Sequence, residues 1–299
     1  MVDNSISVII PVFNAQNFLM DLFECLDRNQ FLSGDEILLV DNGSTDRSYE
    51  MCKKKADENP QLYRVITYTK KAGSYAARNY AVNNAKGNIL VFTDSDTKPS
   101  DNWIETLRYR VKKGIIVAGR ICLDVVNDGI WEKFDTIAHL NSEQNAKENQ
   151  IATANMGVKR EDFYKVGMFE ERFSGGDYEW SRRAGELGIR IVFDANAVVH
   201  HPTRKTFEQI LKKEERIAYG AGNHYRNKEK SYGILIIKYV LKIFKIDTNI
   251  QYSAKLRKMG CTYKEVRIFN CKFMMIRFQQ LVYAIKGYKM IDPRKIGIK

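Results

Sequence analysis

The chain has 299 residues, of which 44% are hydrophobic and 11% aromatic, so it can build a large core and is not a disordered chain. Its longest apolar runs, such as 7–13 and 233–237, are far too short to cross a membrane. The formal net charge of +12 is uneven, because residues 203–299 carry 23 Lys and Arg against 7 Asp and Glu, a net +16, which leaves −4 for residues 1–202. A basic end on a mildly acidic body predicts contact with a polyanion.

The predicted compartment is the cytoplasm. The five cysteines are scattered without a CxxC pair, which indicates reduced thiols. The first ten residues lead directly into a strand, with no basic stretch and no cleavage site, so we expect no signal peptide.

The first hundred residues alternate strand-like and helix-like segments. The sequence predicts, in order, strand 7–11, helix 16–29, strand 36–41, helix 45–58, strand 63–68, helix 75–85 and strand 88–93. Apolar strands that alternate with helices at this spacing indicate βαβ units, and hence an α/β fold with a mainly parallel sheet.

The rest of the chain is more mixed. The predicted elements of its middle are strands 115–121, 189–193 and 197–200, and helices near 130–149 and 177–187. Beyond Pro202 the pattern is mostly helical and basic.

Conspicuous polar residues follow three of the early strands: Asn14, Asp41, and Asp94 with Asp96. In parallel sheets ligands bind beyond the carboxyl ends of the strands, so these side chains are expected to converge at one edge. No GxGxxG follows the first strand, and NAD and FAD are therefore not expected.

The fourth strand, GNILVFTDSD, ends in two carboxylates separated by one serine. One aspartate could cap the next helix, but two carboxylates this close repel each other unless a cation lies beside them. The pattern therefore favours Mg²⁺ or Mn²⁺ shared between carboxylates and a diphosphate. After the second strand, an Asn-Gly turn and a helix cap at Ser44 or Thr45 explain everything except Asp41, which is placed to accept from a nucleobase N–H.

Two later stretches carry further candidates. Two glycines precede Asp177, which either caps the helix that it begins or acts as a general base, and the spacing leaves both open. His200 and His201 end a strand before Pro202, where one of them could coordinate the metal or touch the diphosphate, or both could be structural.

Together these motifs resemble the inverting, nucleotide-sugar-dependent glycosyltransferases of the large bacterial family 2, which have the Rossmann-like GT-A fold. The matching stretches are SVIIPVFN (7–14), VDNGSTD (40–46), AGSYAARNYAVNNAKGNILVFTDSD (72–96), NMGVKREDFYKVGMFEERFSGGDYEWSRRAGELG (155–188) and VVHHP (198–202). The resemblance implies a catalytic domain at 1–202, with a nucleotide-sugar half at about 1–97 and an acceptor half at about 98–202. The basic helical region 203–299 lies outside it.

The resemblance also implies roles by position. It implies a nucleotide-binding set consisting of Pro11, Phe13, Asn14, Asp41, Arg78, Asp94 and Ser95. Asp41 would accept from the uracil N3–H, and Asp96 would be the direct metal ligand, joined by His201. Asp177 falls at the catalytic base, although Gly176 stands where the family has a glutamate. Residues expected near the transferred sugar or the acceptor are Asn155, Gly175, Gly176, Glu179, Trp180, Arg183 and His200.

The implied reaction moves a sugar from a nucleotide sugar, with UDP as the expected nucleotide, to a saccharide acceptor, in cell-surface polysaccharide synthesis. The acceptor is expected to be lipid-linked. A nucleotidyltransferase is the alternative, but PVFNAQN lacks the Gly-rich, basic loop that would hold a triphosphate. A nucleic-acid-binding protein would carry its basic residues on the body, which is net acidic here, so no nucleic-acid partner is expected.

The basic region contains SYGILIIKYVLKIFKI (231–246), in which Lys238, Lys242 and Lys245 form one stripe of a helix. A second stretch, 272–289, interleaves apolar and basic residues in the same way. These helices could pack on the body with a basic face in solvent, pair subunits into a homo-oligomer, or lie in the plane of an anionic membrane. In the last case the protein would be peripheral on the inner face of the cell membrane.

Overall fold

A computed structural model describes residues 4–292 and 296. The chain divides into two compact units. Unit 1 consists of the residues up to Asp124, Leu140–Glu171 and Gly176–Pro202, and unit 2 consists of Val125–His139, Arg172–Gly175 and the residues from Thr203 onward. Unit 1 ends at Pro202, and unit 2 includes two short earlier segments besides the residues from Thr203 onward.

The strands of the described part are β1 (Ile6–Val12), β2 (Glu36–Asp41), β3 (Tyr63–Thr67), β4 (Ile89–Thr93), β5 (Lys98–Pro99), β6 (Ile115–Asp124), β7 (Asn155–Lys159) and β8 (Arg190–Pro202). The helices are α1 (Leu19–Asp27), α2 (Ser48–Glu58), α3 (Ser74–Asn84), α4 (Trp103–Arg110), α5 (Ile130–Ala138), α6 (Ser142–Lys147), α7 (Arg160–Val166), α8 (Gly176–Glu186), α9 (Phe207–Asn227), α10 (Tyr232–Ile243), α11 (Ile246–Lys258) and α12 (Tyr263–Tyr288).

The strands form one sheet in the order β3-β2-β1-β4-β7-β6-β8-β5. The pairs among β1, β2, β3 and β4 are parallel, as is β6 with β8, whereas β7 and β5 pair antiparallel with their neighbours. The predicted α/β fold with a mainly parallel sheet is confirmed. The two strands predicted at 189–193 and 197–200 are a single strand, β8, whose pairing with β6 shifts register between Gly119 and Arg120.

Two apolar clusters of unit 1 contain alternate residues of the central strands. Ile10 and Val91 belong to one cluster, and Ile9 and Phe92 belong to the other. Strands that are covered on both faces read as continuous apolar runs, which is why VIIPV and ILVF are so uniformly apolar. The backbone at the carboxyl ends of these strands is consequently held by a rigid core.

Unit 2 is built mainly from helices, as the sequence predicted for the region after Pro202. The long helices α9 and α12 each begin with a capping box, Thr206 with Gln209 and Thr262 with Glu265, which satisfies backbone N–H groups of the first turn. Within the described residues, no helix combines the length and the apolarity needed to cross a membrane.

Glycines allow α9 and α12 to approach each other closely. A Cβ atom on Gly222 of α9 would overlap the backbone carbonyl of Ala284, and a Cβ on Gly287 of α12 would overlap the carbonyl of Tyr219. Neither obstacle is the end of a flexible side chain, so the helices themselves would have to separate. The close crossing of α9 and α12 therefore requires glycine at both positions.

Gly222→Ala is expected to lower the free energy of unfolding by about 1–3 kcal/mol, because overpacking forces the backbone apart. Urea unfolding followed by helical circular dichroism measures the loss. Gly233→Ala in α10 is the matched control, since its nearest neighbour would be the Ser231 hydroxyl at 3.7 Å and alanine favours helix. Equal unfolding midpoints for the two variants would contradict the close crossing.

Unit 2 also contains a buried charged cluster around His139. Its Nδ1 lies 2.6 Å from Asp135 Oδ1, and its Nε2 lies 2.8 Å from Glu214 Oε1. Burial alone would raise the pKa of Asp135, but the hydrogen bond with His139 and the positive charges of Lys213 and Arg204 hold it well below its usual range. The cluster thus ties α5 to α9 with ionic contacts.

Candidate active site

A tight turn follows β4 and presents Asp94 and Asp96. The hydroxyl of Thr97 donates to the carbonyl of Asp94 (2.9 Å) and lies 2.7 Å from the hydroxyl of Thr93, which donates to the carbonyl of Ala154 on the neighbouring segment (2.9 Å). Both threonines are buried, whereas the two aspartates are partly exposed. Hydrogen bonds beneath the turn therefore fix the positions of its carboxylates.

Asp94, Asp96 and His201 come together in space. One candidate ligand atom from each of the three side chains lies within 4.8 Å of the other two, which makes this the one group of this kind found among the described residues. His201 Nδ1 lies 2.9 Å from the carbonyl oxygen of Pro202, which can only accept, so Nδ1 carries a proton. In the neutral tautomer that this bond selects, Nε2 carries the lone pair and lies 3.5 Å from Asp96 Oδ1.

This donor set fits a divalent cation. Two ligand atoms at right angles, each about 2.1 Å from one ion, lie on the order of 3 Å apart, which is close to the 3.5 Å between His201 Nε2 and Asp96 Oδ1. Carboxylates suit both Mg²⁺ and Mn²⁺, and the imidazole favours the transition-metal ion. The hydrogen bond from Nδ1 to Pro202 is the outer contact that commonly orients a metal-binding histidine.

Arg78 of α3 lies beside this cluster. It forms an ion pair with Asp94 through Nη2, and its guanidinium lies over the ring of Tyr75, 5.6 Å from the centroid. The side chain is only 4% exposed. Among the described residues, its Nε is one of the few buried polar atoms without a hydrogen-bond partner. A buried cation with an unused donor next to this cluster is suited to bind an anion such as a diphosphate.

The loops after β1 and β2 are joined by side-chain hydrogen bonds. Asn14, at φ +50°, receives a bond from the backbone N–H of Thr45 at 2.8 Å, and its own N–H donates to Ser44 Oγ at 3.1 Å. Asp41 accepts from the N–H groups of Gly43 and Ser44 at 3.1 and 3.3 Å. Neither Ser44 nor Thr45 caps α2, which begins only at Ser48, so the predicted cap is wrong.

These bonds hold the two loops together at the carboxyl edge of the sheet. Phe13 exposes 53% of its surface there, although a large apolar side chain is normally buried. Pro11 lies in β1 opposite Val40 of β2, and Ser95 is half-buried between the two aspartates. An exposed aromatic ring provides a face on which a nucleobase could stack.

Asp177, at the start of α8, accepts a hydrogen bond from the Tyr75 hydroxyl at 2.9 Å and one from the backbone N–H of Tyr178 at 3.0 Å. Burial raises the pKa of the Asp177 carboxyl, against the opposing effects of the Tyr75 hydrogen bond and the Arg78 charge. Burial also raises the pKa of the Tyr75 phenol, which therefore remains a donor at neutral pH. A carboxylate with a raised pKa is a candidate proton acceptor.

The space around position 176 explains why a glycine precedes Asp177. A Cβ at this position would lie 2.9 Å from two carbons of the Tyr75 ring and 3.0 Å from the carbonyl oxygen of Glu170. The ring of Tyr75 thus fills the space that a side chain at 176 would need. Gly175 is at φ +74°, a conformation that favours glycine.

Several residues expected near the sugar are placed in the interior. Trp180 is fully buried, with its indole N–H donating to the carbonyl of Gly167 at 2.7 Å. Arg183 donates to the carbonyls of Val166 and Met168 at 2.6 and 2.7 Å and pairs with Glu179, which is itself buried. These three side chains attach α8 to the end of α7 and pack the fold.

Asn155 and His200 also have protein partners. The buried Asn155 accepts from the Trp103 indole at 2.9 Å and donates to the carbonyls of Arg120 and Ala197. His200 Nδ1 lies 2.7 Å from Asp124 Oδ1, because adjacent residues of a strand point to opposite faces. Only His201 of the histidine pair therefore reaches Asp96.

Sequence reasoning did not identify Tyr75 as a site residue. It lies 102 positions from Asp177 in the chain. A tyrosine at the start of a helix carries no signal of what its hydroxyl contacts. The two glycines before Asp177 were the one available hint, since they indicate that something approaches the backbone closely there.

Comparison with known proteins adds a family match. The sequence model of the family described as "Glycosyl transferase family 2" matches residues 7–173. The glycosyltransferase AglE of Haloferax volcanii is 32% identical over 221 residues, which are 72% of this chain and 72% of that protein. The amylovoran biosynthesis glycosyltransferase AmsB of Erwinia amylovora is 24% identical over 220 residues, 67% of this chain and 70% of that one.

Solved structures with the same fold include two that were crystallised with nucleotide sugars. The mannosyltransferase PcManGT of Pyrobaculum calidifontis, in complex with GDP-Man and Mn²⁺, aligns with a TM-score of 0.63 at 16% identity, over 96% of this chain and 88% of that one. TarS 1–349 of S. aureus, in complex with UDP-GlcNAc, aligns with a TM-score of 0.54 at 14% identity, over 98% and 92%. At this identity the likeness concerns the fold alone.

Proposed function

Since the chain belongs to glycosyl transferase family 2 and has the GT-A fold, we propose that it is a metal-dependent, inverting transferase that uses a UDP-sugar donor. The observation that supports this most strongly is the pairing of two sites in unit 1: Asp94, Asp96 and His201 suited to a cation, and Asp177 suited to a proton. Family membership also decides against the nucleotidyltransferase that the sequence alone left open.

On the donor side, Asp96 and His201 would hold Mn²⁺ or Mg²⁺ together with Asp94. The bound ion would neutralise charge on the diphosphate as the leaving group departs. The buried guanidinium of Arg78, with its unused Nε donor, adds a second positive group at the same place. Phe13 and Asp41 would receive the base, by stacking and by accepting from its N–H.

On the acceptor side, Asp177 would take the proton of the attacking hydroxyl. The new bond joins that oxygen to the anomeric carbon, while the bond from the anomeric carbon to the diphosphate oxygen breaks and the nucleoside diphosphate leaves with the electron pair. Attack from the face opposite the leaving group inverts the anomeric centre and needs no covalent intermediate. Tyr75 would hold the carboxylate in position through its hydrogen bond.

The acceptor is proposed to be a saccharide on a lipid carrier, in cell-surface polysaccharide synthesis. The name of the relative AmsB refers to biosynthesis of a polysaccharide, amylovoran. The basic, largely helical unit 2 is consistent with binding to an anionic membrane surface, where a lipid-linked acceptor would lie.

A thermal-shift and hydrolysis screen tests the donor proposal. Purified protein is mixed with UDP, GDP and their sugars, each with and without Mn²⁺. We expect one nucleotide to raise Tm only when the metal is present, and its sugar nucleotide to be slowly hydrolysed. If no nucleoside diphosphate raises Tm with any divalent ion, the proposed function is wrong.

Tyr75→Phe is expected to shift the acidic limb of the kcat/KM profile upward by about one to two pH units. The hydrogen bond from Tyr75 lowers the pKa of Asp177, and a hydrogen bond to a charged group is worth about 1.5–3 kcal/mol. Its removal raises that pKa further, so the base is lost at a higher pH. A uniformly lower rate with an unmoved limb would show that Tyr75 has only a packing role.

A further inference from the structure

Helix α10 has an apolar stripe that faces solvent. Ile234, Ile237, Leu241 and Phe244, at the helical spacing of three and four residues, expose 59%, 60%, 65% and 73% of their surfaces. Single exposed apolar residues are ordinary, but a run of large ones along one helix marks an interaction surface. We call these four residues the α10 stripe.

The opposite side of α10 is firmly packed within unit 2. Leu235 and Tyr239 belong to an apolar cluster with Ala218 of α9 and Ala284 of α12. The buried Arg277 of α12 donates to the carbonyl oxygens of residues 243 and 245 at 3.3 and 2.8 Å, which holds the C-terminal end of the helix. The stripe is therefore presented by an anchored helix.

Charge indicates the occupant of this surface. Lys238, Lys242 and Lys245 each follow a member of the stripe by one residue, so they form a row along its edge. Residues 231–246 contain no acidic residue, and Asp247 is the first one after them. A second copy of the chain, docked stripe to stripe, would bring these lysines toward one another, whereas an anionic surface would neutralise them.

The dimensions favour a surface over a span. A helix of 12 residues is about 18 Å long, well below the roughly 30 Å of a bilayer core. Exposed apolar residues continue past its end at Ile246 and Ile250, which are 69% and 61% exposed. We infer that the α10 stripe inserts in the plane of an anionic phospholipid bilayer, with the three lysines at the headgroups. This goes beyond the proposed donor chemistry and does not depend on it.

Sedimentation of the full chain with lipid vesicles tests the inference. Wild-type protein is expected to bind vesicles of phosphatidylcholine mixed with phosphatidylglycerol, and to bind them more weakly at high salt. It is expected to bind vesicles of pure phosphatidylcholine only slightly. Leu241→Glu with Phe244→Glu is expected to weaken binding by about tenfold or more. Changing all three lysines to glutamine is expected to weaken it by about a hundredfold.

The matched control is Met20→Glu with Leu32→Glu in unit 1. These residues are 57% and 59% exposed, so the control changes charge and exposed apolar area in the same way. It should bind as wild type does, and circular dichroism should show that both double variants are folded. Equal vesicle binding by the two double variants, or no binding by the wild type, would overturn the inference. A wild-type dimer that only the α10 variant dissociates, seen by light scattering, would also overturn it.

Stabilisation by nucleoside diphosphate and Mn²⁺ is measured on the same preparations. If vesicle binding is absent while this stabilisation is present, only the membrane inference is wrong. If vesicle binding is present while stabilisation by nucleoside diphosphate and Mn²⁺ is absent, the membrane inference stands and the donor proposal is wrong.

Discussion

Replacing Asp177 by Asn is expected to lower kcat by about 10²- to 10⁴-fold while leaving nucleotide binding intact, because general base catalysis typically contributes that much. The amide is nearly isosteric and can still accept the hydrogen bond of the Tyr75 hydroxyl, so the geometry survives. The change removes a carboxyl whose pKa is raised by burial, and the variant should therefore be at least as stable as wild type. Initial rates and Tm are measured together.

The pH dependence of the wild type provides a second measure of the same residue. A carboxyl with a raised pKa becomes protonated at a higher pH than an ordinary aspartate, whose pKa is about 3.9. The midpoint of the acidic limb of the activity profile should therefore lie above about pH 3.9. Asp57→Asn, at an exposed position of α2, is the matched control and should change neither rate nor profile. Normal turnover by Asp177→Asn would assign the base to another group.

His201→Gln is expected to abolish the rise in Tm that nucleoside diphosphate and Mn²⁺ produce together, whereas His200→Gln is expected to keep it. Only Nε2 of His201 faces Asp96, and His200 is paired with Asp124 instead. A ligand present at 100 times its Kd stabilises the folded state by about 2.7 kcal/mol, which is large enough to measure in a thermal melt. Asp96→Ala should lose the response in the same way.

An unchanged response to Mn²⁺ and nucleotide in His201→Gln would contradict the metal site. If the metal-free variant also has a lower Tm than wild type, the contact between His201 and Asp96 is a structural pair. Because the two histidines are neighbours on β8, the comparison holds strand and residue type constant, although His200 is exposed and His201 is buried.

The parts of the fold that could be predicted are those governed by local pattern. Val8 to Val12 and Ile89 to Thr93 are buried on both sides of a sheet, so their apolar runs predict strands directly. The polar residues at the ends of β2 and β4, together with the rule on carboxyl ends, predicted that Asp41 and Asp94 lie at one edge. Motif order alone was sufficient for the family.

The parts that could not be predicted depend on contacts between distant segments. The contact with the end of α7 sets the orientation of α8. Trp180 therefore bonds to Gly167, whereas Asp177, three residues earlier, bonds to Tyr75. The partners of His139 include Glu214, 75 positions away. The break expected between 193 and 197 is absent because β8 continues through a register shift. No local pattern contains this information.

The contact between the Tyr75 ring and Gly176 has an evolutionary consequence. The two positions share one volume, so a side chain at position 176 fits only if the residue at position 75 is smaller. A homologue with a larger residue at 176 must shorten the one at 75, and it then gives up the phenol that donates to Asp177. Positions 75 and 176 should therefore covary among relatives, with tyrosine at 75 found only where glycine stands at 176.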